Sequence, residues 1–364
     1  MVCSAAVLSS SLALSLLRHS SSPSQSFVLS PLSLNSALSI VHDGAIGNTQ
    51  KELTNLLLNG CTPADVTNHY SSLTLSLPSN NNTGVSFKSA NRFYVDDSIT
   101  LKNDYQKHVE NKYKVKVQSL KLGNKADAAK EMNKFVEEAT NGMIKDLIKA
   151  DGIPDEAKSI LINAIHFLGT WKNSFDKKKT RKGNFHGATG DKEVEFMNNN
   201  AHFNISRTEI GVTLVLPYEN DAFRFFLVMP REERNLDNLR NEMTGEKLQS
   251  LLKNTYSREV QLSLPKFSLS SDLDGVKVLQ NLGVNNIFSN TADFTKISNS
   301  KTRLKVSEIQ HKAVIEVDEK GTVAAAATSI GFNKCSAIEV VIINRPFLFG
   351  ILNKDEILFI GQFV

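Results

Sequence analysis

Apolar and polar residues repeat along this chain with two periods, and the switches between them outline a protein of mixed helix and strand. Ala6, Val7, Leu8, Leu12, Leu14, Leu16 and Leu17 recur at helical spacings and predict a packed helix over 5–17. Phe27-Val28-Leu29 predicts a short buried strand ended by Ser30-Pro31. Proline suits a first helical turn, so a helix follows over 32–41, with Leu34, Ala37, Leu38 and Val41 on one face. A turn at 44–49 leads into another helix over 50–58, closed by Asn59-Gly60. The pattern then predicts a strand over 85–95 and helices over 104–113 and 126–140. Residues 159–167, with Ile160, Leu161, Ile162 and Ile165, are almost continuously apolar, as a strand covered on both faces is. Strands over 212–217, 223–230 and 260–269, a helical stretch over 236–252, and a hairpin over 347–352 and 357–363 complete the outline. With no linker or internal repeat between them, these elements are expected to form one domain over 1–364.

One stretch obeys no local rule. Val314, Glu316 and Asp318 alternate with Ile315 and Val317, which is the period of a strand. After Gly321 comes Thr322-Val323-Ala324-Ala325-Ala326-Ala327-Thr328, too short to hold a helix in water and too bland to form a core. In an extended chain Thr322, Ala324, Ala326 and Thr328 share one side and none carries a charge, so nothing forbids burial of that side.

Composition narrows the function classes. Among 364 residues 41% are hydrophobic and 22% charged, enough for a sizeable core and unlike a disordered chain. A net charge of +4 is too diffuse to imply nucleic acid or a membrane surface. The one basic run, Lys177-Lys178-Lys179-Thr180-Arg181-Lys182, lacks interleaved aromatics and reads as a solvated loop between strands rather than a polyanion site. Cys3, Cys61 and Cys335 are odd in number and without metal-ligand spacing, so no disulfide framework, metal or cofactor is expected. No segment is long and apolar enough to cross a bilayer, and residues 5–17 lack the basic flank of a signal peptide. These features point to the cytosol, against which stand two glycosylation triplets, Asn81-Asn82-Thr83 and Asn204-Ile205-Ser206, as the hint of an extracellular site. Nucleophile elbow, phosphate loop, dinucleotide fingerprint, His-Glu-x-x-His and Cys-x-x-Cys are all missing, so no enzyme is expected.

The run Glu319-Lys320-Gly321-Thr322 to Thr328, with His311-Lys312-Ala313 before it and Asn344-Arg345-Pro346-Phe347 after it, resembles the hinge and reactive-centre loop of a serpin. Other serpin-like motifs extend the resemblance over the whole chain: Ser30-Pro31-Leu32-Ser33, Asn163-Ala164-Ile165-His166-Phe167-Leu168-Gly169-Thr170-Trp171 and Leu264-Pro265-Lys266-Phe267. It implies an α+β fold with three sheets, eight or nine helices and an exposed reactive loop over about 319–343. It further implies that His311 bonds with Ser30, Ser33 and Asn163 beneath the point where the large sheet opens, a structural rather than catalytic role. Glu319 is expected to pair with Lys266 at the upper end of that sheet, near Trp171.

The implied activity is suicide inhibition of a protease by a monomer: the loop is cleaved, and the Gly321–Thr328 hinge enters the large sheet while the enzyme is still acylated. Counting from Gly321 at family spacing puts the reactive bond at Cys335-Ser336, with Lys334-Cys335 as the alternative. Cys335 suits chymotrypsin- or elastase-like serine proteases or a cysteine protease, whereas Lys334 suits a trypsin-like pocket. Val323 departs from the glutamate frequent in the family. Non-inhibitory serpins, acting as carriers, stores or chaperones, are the alternative reading; they often carry charged or bulky hinge residues, which this chain lacks.

Overall fold

The structure is a computed structural model that describes residues 5–78, 84–231, 235–300, 302–321 and 338–364. Five strands make the sheet that concerns function. In spatial order they are β10 (Phe267–Asp274), β11 (Glu308–Val317), β4 (Ser159–Gly169), β2 (Val85–Asp96) and β3 (Val117–Leu120). The central neighbours β4 and β11 run parallel, from Glu308 opposite Ile160 to Val314 opposite His166. Both faces of β4 are covered, which explains its unbroken apolar run. Leu161, Ile165 and Phe167 face the main core, while Ile160, Ile162 and Ala164 face a smaller cluster built on Met132 and Val136 of α6 (Lys125–Ala139).

The second sheet has nine strands. Its path runs β1 (Phe27–Leu29), β14 (Glu356–Phe363), β13 (Phe347–Asn353), β8 (Phe223–Pro230), β7 (Gly211–Pro217), β6 (Gly190–Arg207), β9 (Tyr256–Pro265) and β12 (Glu339–Ile342), with β5 (Arg181–Gly187) paired to β6. The 18-residue β6 pairs in turn with β5, β9 and β7. Two of the three expected sheets therefore share one hydrogen-bonded network.

Nine α-helices are present among the described residues. Besides α6 they are α1 (Ala5–Ser20), α2 (Pro31–Gly44), α3 (Gly47–Leu57), α4 (Pro63–Ser76), α5 (Asn103–Tyr113), α7 (Leu236–Glu242), α8 (Gly245–Lys253) and α9 (Gly275–Asn281). All 14 residues of α2 are buried, against β14 on one side and β4 and β2 on another. Its polar residues must bond inside the protein. Ser39 donates to Asn35 O, and His42 bonds Asp43 and Thr54.

Several boundaries differ from the sequence reading for local reasons. The stretch over 236–252 is two helices, because the Thr244 side chain accepts from Lys247 N and starts α8 afresh. The strand over 260–269 breaks at Lys266, whose N–H turns to Glu195 O, so β9 and β10 belong to different sheets. The basic run is only partly a loop, since Lys177–Lys179 form a 3-10 turn and Arg181 and Lys182 begin β5. Asn204 lies within β6, paired on both sides, and not in a loop; the other triplet is outside the described residues.

Helix α4 escaped the periodicity altogether. Its signal is at the start: Thr62 and Asp65 satisfy each other's backbone N–H in a capping box around Pro63. Thr62→Ala is expected to cost about 1 kcal/mol, a fall of roughly 2 °C in the thermal midpoint. An unchanged midpoint in scanning calorimetry would show that tertiary packing alone holds α4.

Candidate functional site

The register of the five-stranded sheet places three polar residues side by side. Asn163 of β4 lies opposite Asn91 of β2 and opposite His311 of β11. Alternation along β4 gives Asn163 the same face as Ile165, towards α2. Ser30, the N-cap of α2, completes the set from that side: its hydroxyl accepts from Ser33 N and donates to Leu358 O at 2.6 Å.

These groups satisfy one another. The backbone N–H of Ser30 donates to His311 Nε2 at 3.2 Å, so Nε2 is unprotonated and Nδ1–H donates to Asn163 Oδ1. The Asn163 amide then donates to Ser33 O at 3.0 Å, and also reaches the Ser33 hydroxyl and Asn91 Oδ1. Of the expected bonds of His311, those with Ser30 and Asn163 are present, whereas Ser33 is reached only through the Asn163 amide, which also bonds Asn91, a member of the group that the sequence reading missed. Its signal is an amide between Ala90 and the apolar run Phe93-Tyr94-Val95. His311 is 1% exposed, and burial holds its imidazole down at about 3. On the opposite face His166 is also buried, with neither ring nitrogen hydrogen-bonded, and burial lowers it to about 4.

The upper end of the sheet is held differently. Lys266 Nζ lies 3.0 Å from the carboxylate of Glu319, and the Thr180 hydroxyl donates to the other oxygen at 2.9 Å. The Glu319 side chain is 4% exposed while that of Lys266 is 34% exposed, so the pair is covered from the carboxylate side. Burial pushes the Glu319 carboxyl up, but bonds from its own backbone, Lys266 and Thr180 outweigh this and leave it below the usual range. The hydrogen bond to Glu319 in turn raises Lys266. Thr180, within the basic run, is the partner that charge patterning overlooked.

Trp171 seals this end. Its indole N–H donates to Asp318 O at 2.8 Å, its backbone N–H donates to Lys320 O, and its ring stacks on Tyr218 at 4.6 Å. Phe175 N–H donates to Glu319 O. Gly321 follows with φ +94°, in a bridge to Thr170. A Cβ there would come within 2.2 Å of Gly169 O and 2.6 Å of Trp171 N. Glycine is required both by the angle and by the close backbone approach.

The hinge residues Thr322, Val323, Ala324, Ala325, Ala326, Ala327 and Thr328 lie outside the described residues, as do Lys334, Cys335 and Ser336. Among the described residues no group of three or more His, Cys, Asp or Glu could hold a metal ion, and no helix is long and apolar enough to cross a membrane.

Two sheets with a wholly buried helix between them, and a long connection leaving the sealed head of the smaller one, define the serpin architecture. The chain belongs to the serpin family: the family model described as Serpin (serine protease inhibitor) matches residues 8–364. Serine protease inhibitor 42Dd of Drosophila melanogaster is 33% identical over 348 residues, covering 93% of this chain and 91% of that protein. Among solved structures, Serpin48 of the insect Tenebrio molitor superposes with TM-score 0.86 at 29% identity, covering 98% of this chain and 96% of that one. Human thyroxine-binding globulin superposes with TM-score 0.88 at 25% identity, covering 98% and 97%. Membership makes target proteases the partner class and an inhibitor, not a catalyst, the expected kind of protein.

The unfolded chain protonates its histidines below about pH 6.5, whereas the folded chain refuses the proton until about 4 at His166 and about 3 at His311. Their contribution to stability is therefore complete above pH 6.5 and is lost as pH falls towards those values, at up to about 1.4 kcal/mol per pH unit for each histidine. Thermal midpoints are expected to drop steadily between about pH 6.5 and pH 4, and His166→Phe to flatten that slope. A midpoint independent of pH over this range would contradict the assignment of both rings as neutral.

Proposed function

We propose that this serpin is a suicide-substrate protease inhibitor that acts as one 1–364 unit. Its reactive loop spans about 319–343, and its reactive bond is Cys335-Ser336. The observation that carries the reading is the parallel pair β4 and β11, neighbours whose hydrogen bonding ends at His166 and Val314 while the chain continues from β11 into Gly321. A segment returning from Gly321 would run antiparallel to both. About a dozen residues entering between them would add on the order of ten backbone hydrogen bonds at about 1 kcal/mol net each. The side chains that must slide into the interior, Thr322, Ala324, Ala326 and Thr328, carry no charge to desolvate.

In this mechanism the protease attacks the carbonyl carbon of Cys335 and expels the amino group of Ser336, leaving an acyl-enzyme. Insertion of Thr322 to Thr328 then moves the bound enzyme away before water reaches the ester or thioester. Chymotrypsin- or elastase-like serine proteases and cysteine proteases suit Cys335 at the cleaved position; cleavage one residue earlier at Lys334 would select a trypsin-like enzyme. The cysteine usage supports action in the cytosol. The polar rung of Asn91, Asn163 and His311 and the Glu319–Lys266 pair control when the sheet opens. A carrier function is the second reading, supported by the likeness to thyroxine-binding globulin.

Incubation with trypsin-, chymotrypsin- and elastase-like enzymes and with cathepsins is expected to yield a covalent complex that survives denaturing electrophoresis. Mass spectrometry of the released fragment should start it at Ser336. Rapid cleavage with no complex would make it a substrate-like, non-inhibitory serpin. Thr322→Arg is expected to convert the inhibitor into a substrate, cleaved at the same bond with at least a tenfold loss of complex, because a buried guanidinium slows insertion. Glu319→Lys is expected to speed polymerisation on mild heating, by setting two ammonium groups against each other and leaving the Thr180 hydroxyl without its acceptor. An unchanged monomer yield would remove the Glu319–Lys266 pair from the control of opening.

A further inference from the structure

The methionines differ sharply in their access to solvent. Met132, Met197, Met229 and Met243 are buried, whereas Met143 is 44% exposed. Its place follows from how α6 ends. Asn141 (φ +52°) and Gly142 (φ +76°) are both left-handed and turn the chain back over the sheet. Beyond the turn the chain is anchored again: Ile144 N donates to the Thr140 hydroxyl at 3.1 Å, and Ile144, Leu147 and Ile148 are buried in the smaller core cluster. Met143 stands between the turn and this anchor, on the wall of a cleft of about 440 Å³. Leu168 of β4 and Glu316 of β11 line the same cleft, so it spans the two central strands near the upper end of the sheet. Met143 and Leu168 are its apolar members; Lys88, Lys177 and Lys320 are its cations.

A thioether can cover an apolar neighbour, but its sulfur is also the atom that a dissolved peroxide oxidises, and the product is polar and chiral. We propose that Met143 is an oxidation site through which a peroxide loosens the cover of the five-stranded sheet. In the step, a lone pair of Sδ attacks one peroxide oxygen, an S–O bond forms and the O–O bond breaks. The other oxygen leaves with the transferred proton as water. Sulfur loses two electrons and the peroxide gains them. The four buried sulfurs are closed to the same reagent while the protein is folded. The sulfoxide oxygen is a strong acceptor that favours water over the company of Leu168, so the turn at 141–143 lifts from the sheet. This effect on the sheet rests on the reading that β4 and β11 part, and makes their parting easier.

Brief treatment of the native full chain with hydrogen peroxide, followed by peptide mass spectrometry, is expected to add one oxygen to Met143 at least tenfold faster than to Met132, Met197, Met229 or Met243. Amides over 140–148 should then exchange faster with solvent, and polymerisation on mild heating should speed up at least twofold. Methionine sulfoxide reductase should restore both. Thiols also react with peroxide, so Met143→Leu is treated alongside; it keeps an apolar side chain without the sulfur, and peroxide should leave its exchange and its polymerisation rate unchanged. Met143→Gln, polar and of similar length, should behave like the oxidised wild type without any peroxide. Oxidation of all these methionines at one rate, unchanged exchange over 140–148, or equal acceleration in the wild type and Met143→Leu would overturn the proposal. Faster exchange with an unchanged polymerisation rate would uphold the oxidation site and count against the parting of β4 and β11. No protease enters these measurements, so their outcome is separate from that of the inhibition assay.

Discussion

The polar rung that crosses β2, β4 and β11 is the constraint on which the fold turns. Asn91, Asn163 and His311 stand at the same level of the sheet, and Asn163 and His311 are buried away from water while Asn91 is half-buried at the edge. The two buried members are satisfied by each other, by Asn91 and by Ser30 and Ser33 at the start of α2. Parting β4 from β11 breaks the His311–Asn163 bond with both groups still inside, and an orphaned buried polar group costs about 1–3 kcal/mol. The sheet is thus held shut by groups whose loss of partners is costly, in addition to its backbone hydrogen bonds.

The two ends of that sheet use different chemistry. At the rung, neutral donors and acceptors in a dry interior demand one geometry, and a proton on His311 would destroy the bond from Ser30 N–H. At the head, a half-covered ion pair is combined with Trp171 bridging to the backbone of Asp318 and Lys320. Ion pairs of this kind are screened and exchangeable, while a dry network of hydrogen bonds opens as a unit or not at all. Were the sheet to open as proposed, the head would be the end to yield first and the rung the second. Gly321 sits where that opening would begin, pressed on the backbone of Gly169.

Much of this was legible in the chain itself. The continuous apolar run of β4, the hairpin of β13 and β14 and the helical face of α2 all follow from period and length. So does the unusual blandness beyond Gly321. The motifs around His311, Asn163 and Lys266 carried the expected contacts through the family resemblance, and the geometry has His311 on Ser30 and Asn163 and Lys266 on Glu319, but joins Ser33 to Asn163 instead of His311. What could not be read are contacts made only by register. Asn91 gains its role because β2 pairs with β4 one residue at a time, and Thr180 because β5 brings the basic run against Glu319. The break at Lys266 was hidden because β9 and β10 both alternate like one long strand, although they belong to different sheets. The helix α4 has a weak apolar face, and only its cap marks it.

Whether the five-stranded sheet accepts the hinge as a further strand is decided by nicking the loop with a protease that does not form a complex. The nicked protein, its loop free to enter between β4 and β11, is expected to unfold at a temperature well above that of the intact chain. The amides of Ile160 to His166 and Glu308 to Val314 are expected to gain protection from hydrogen exchange. A nicked protein with the same midpoint and the same exchange as the intact one would contradict insertion, and would leave the sheet a closed scaffold rather than a trap.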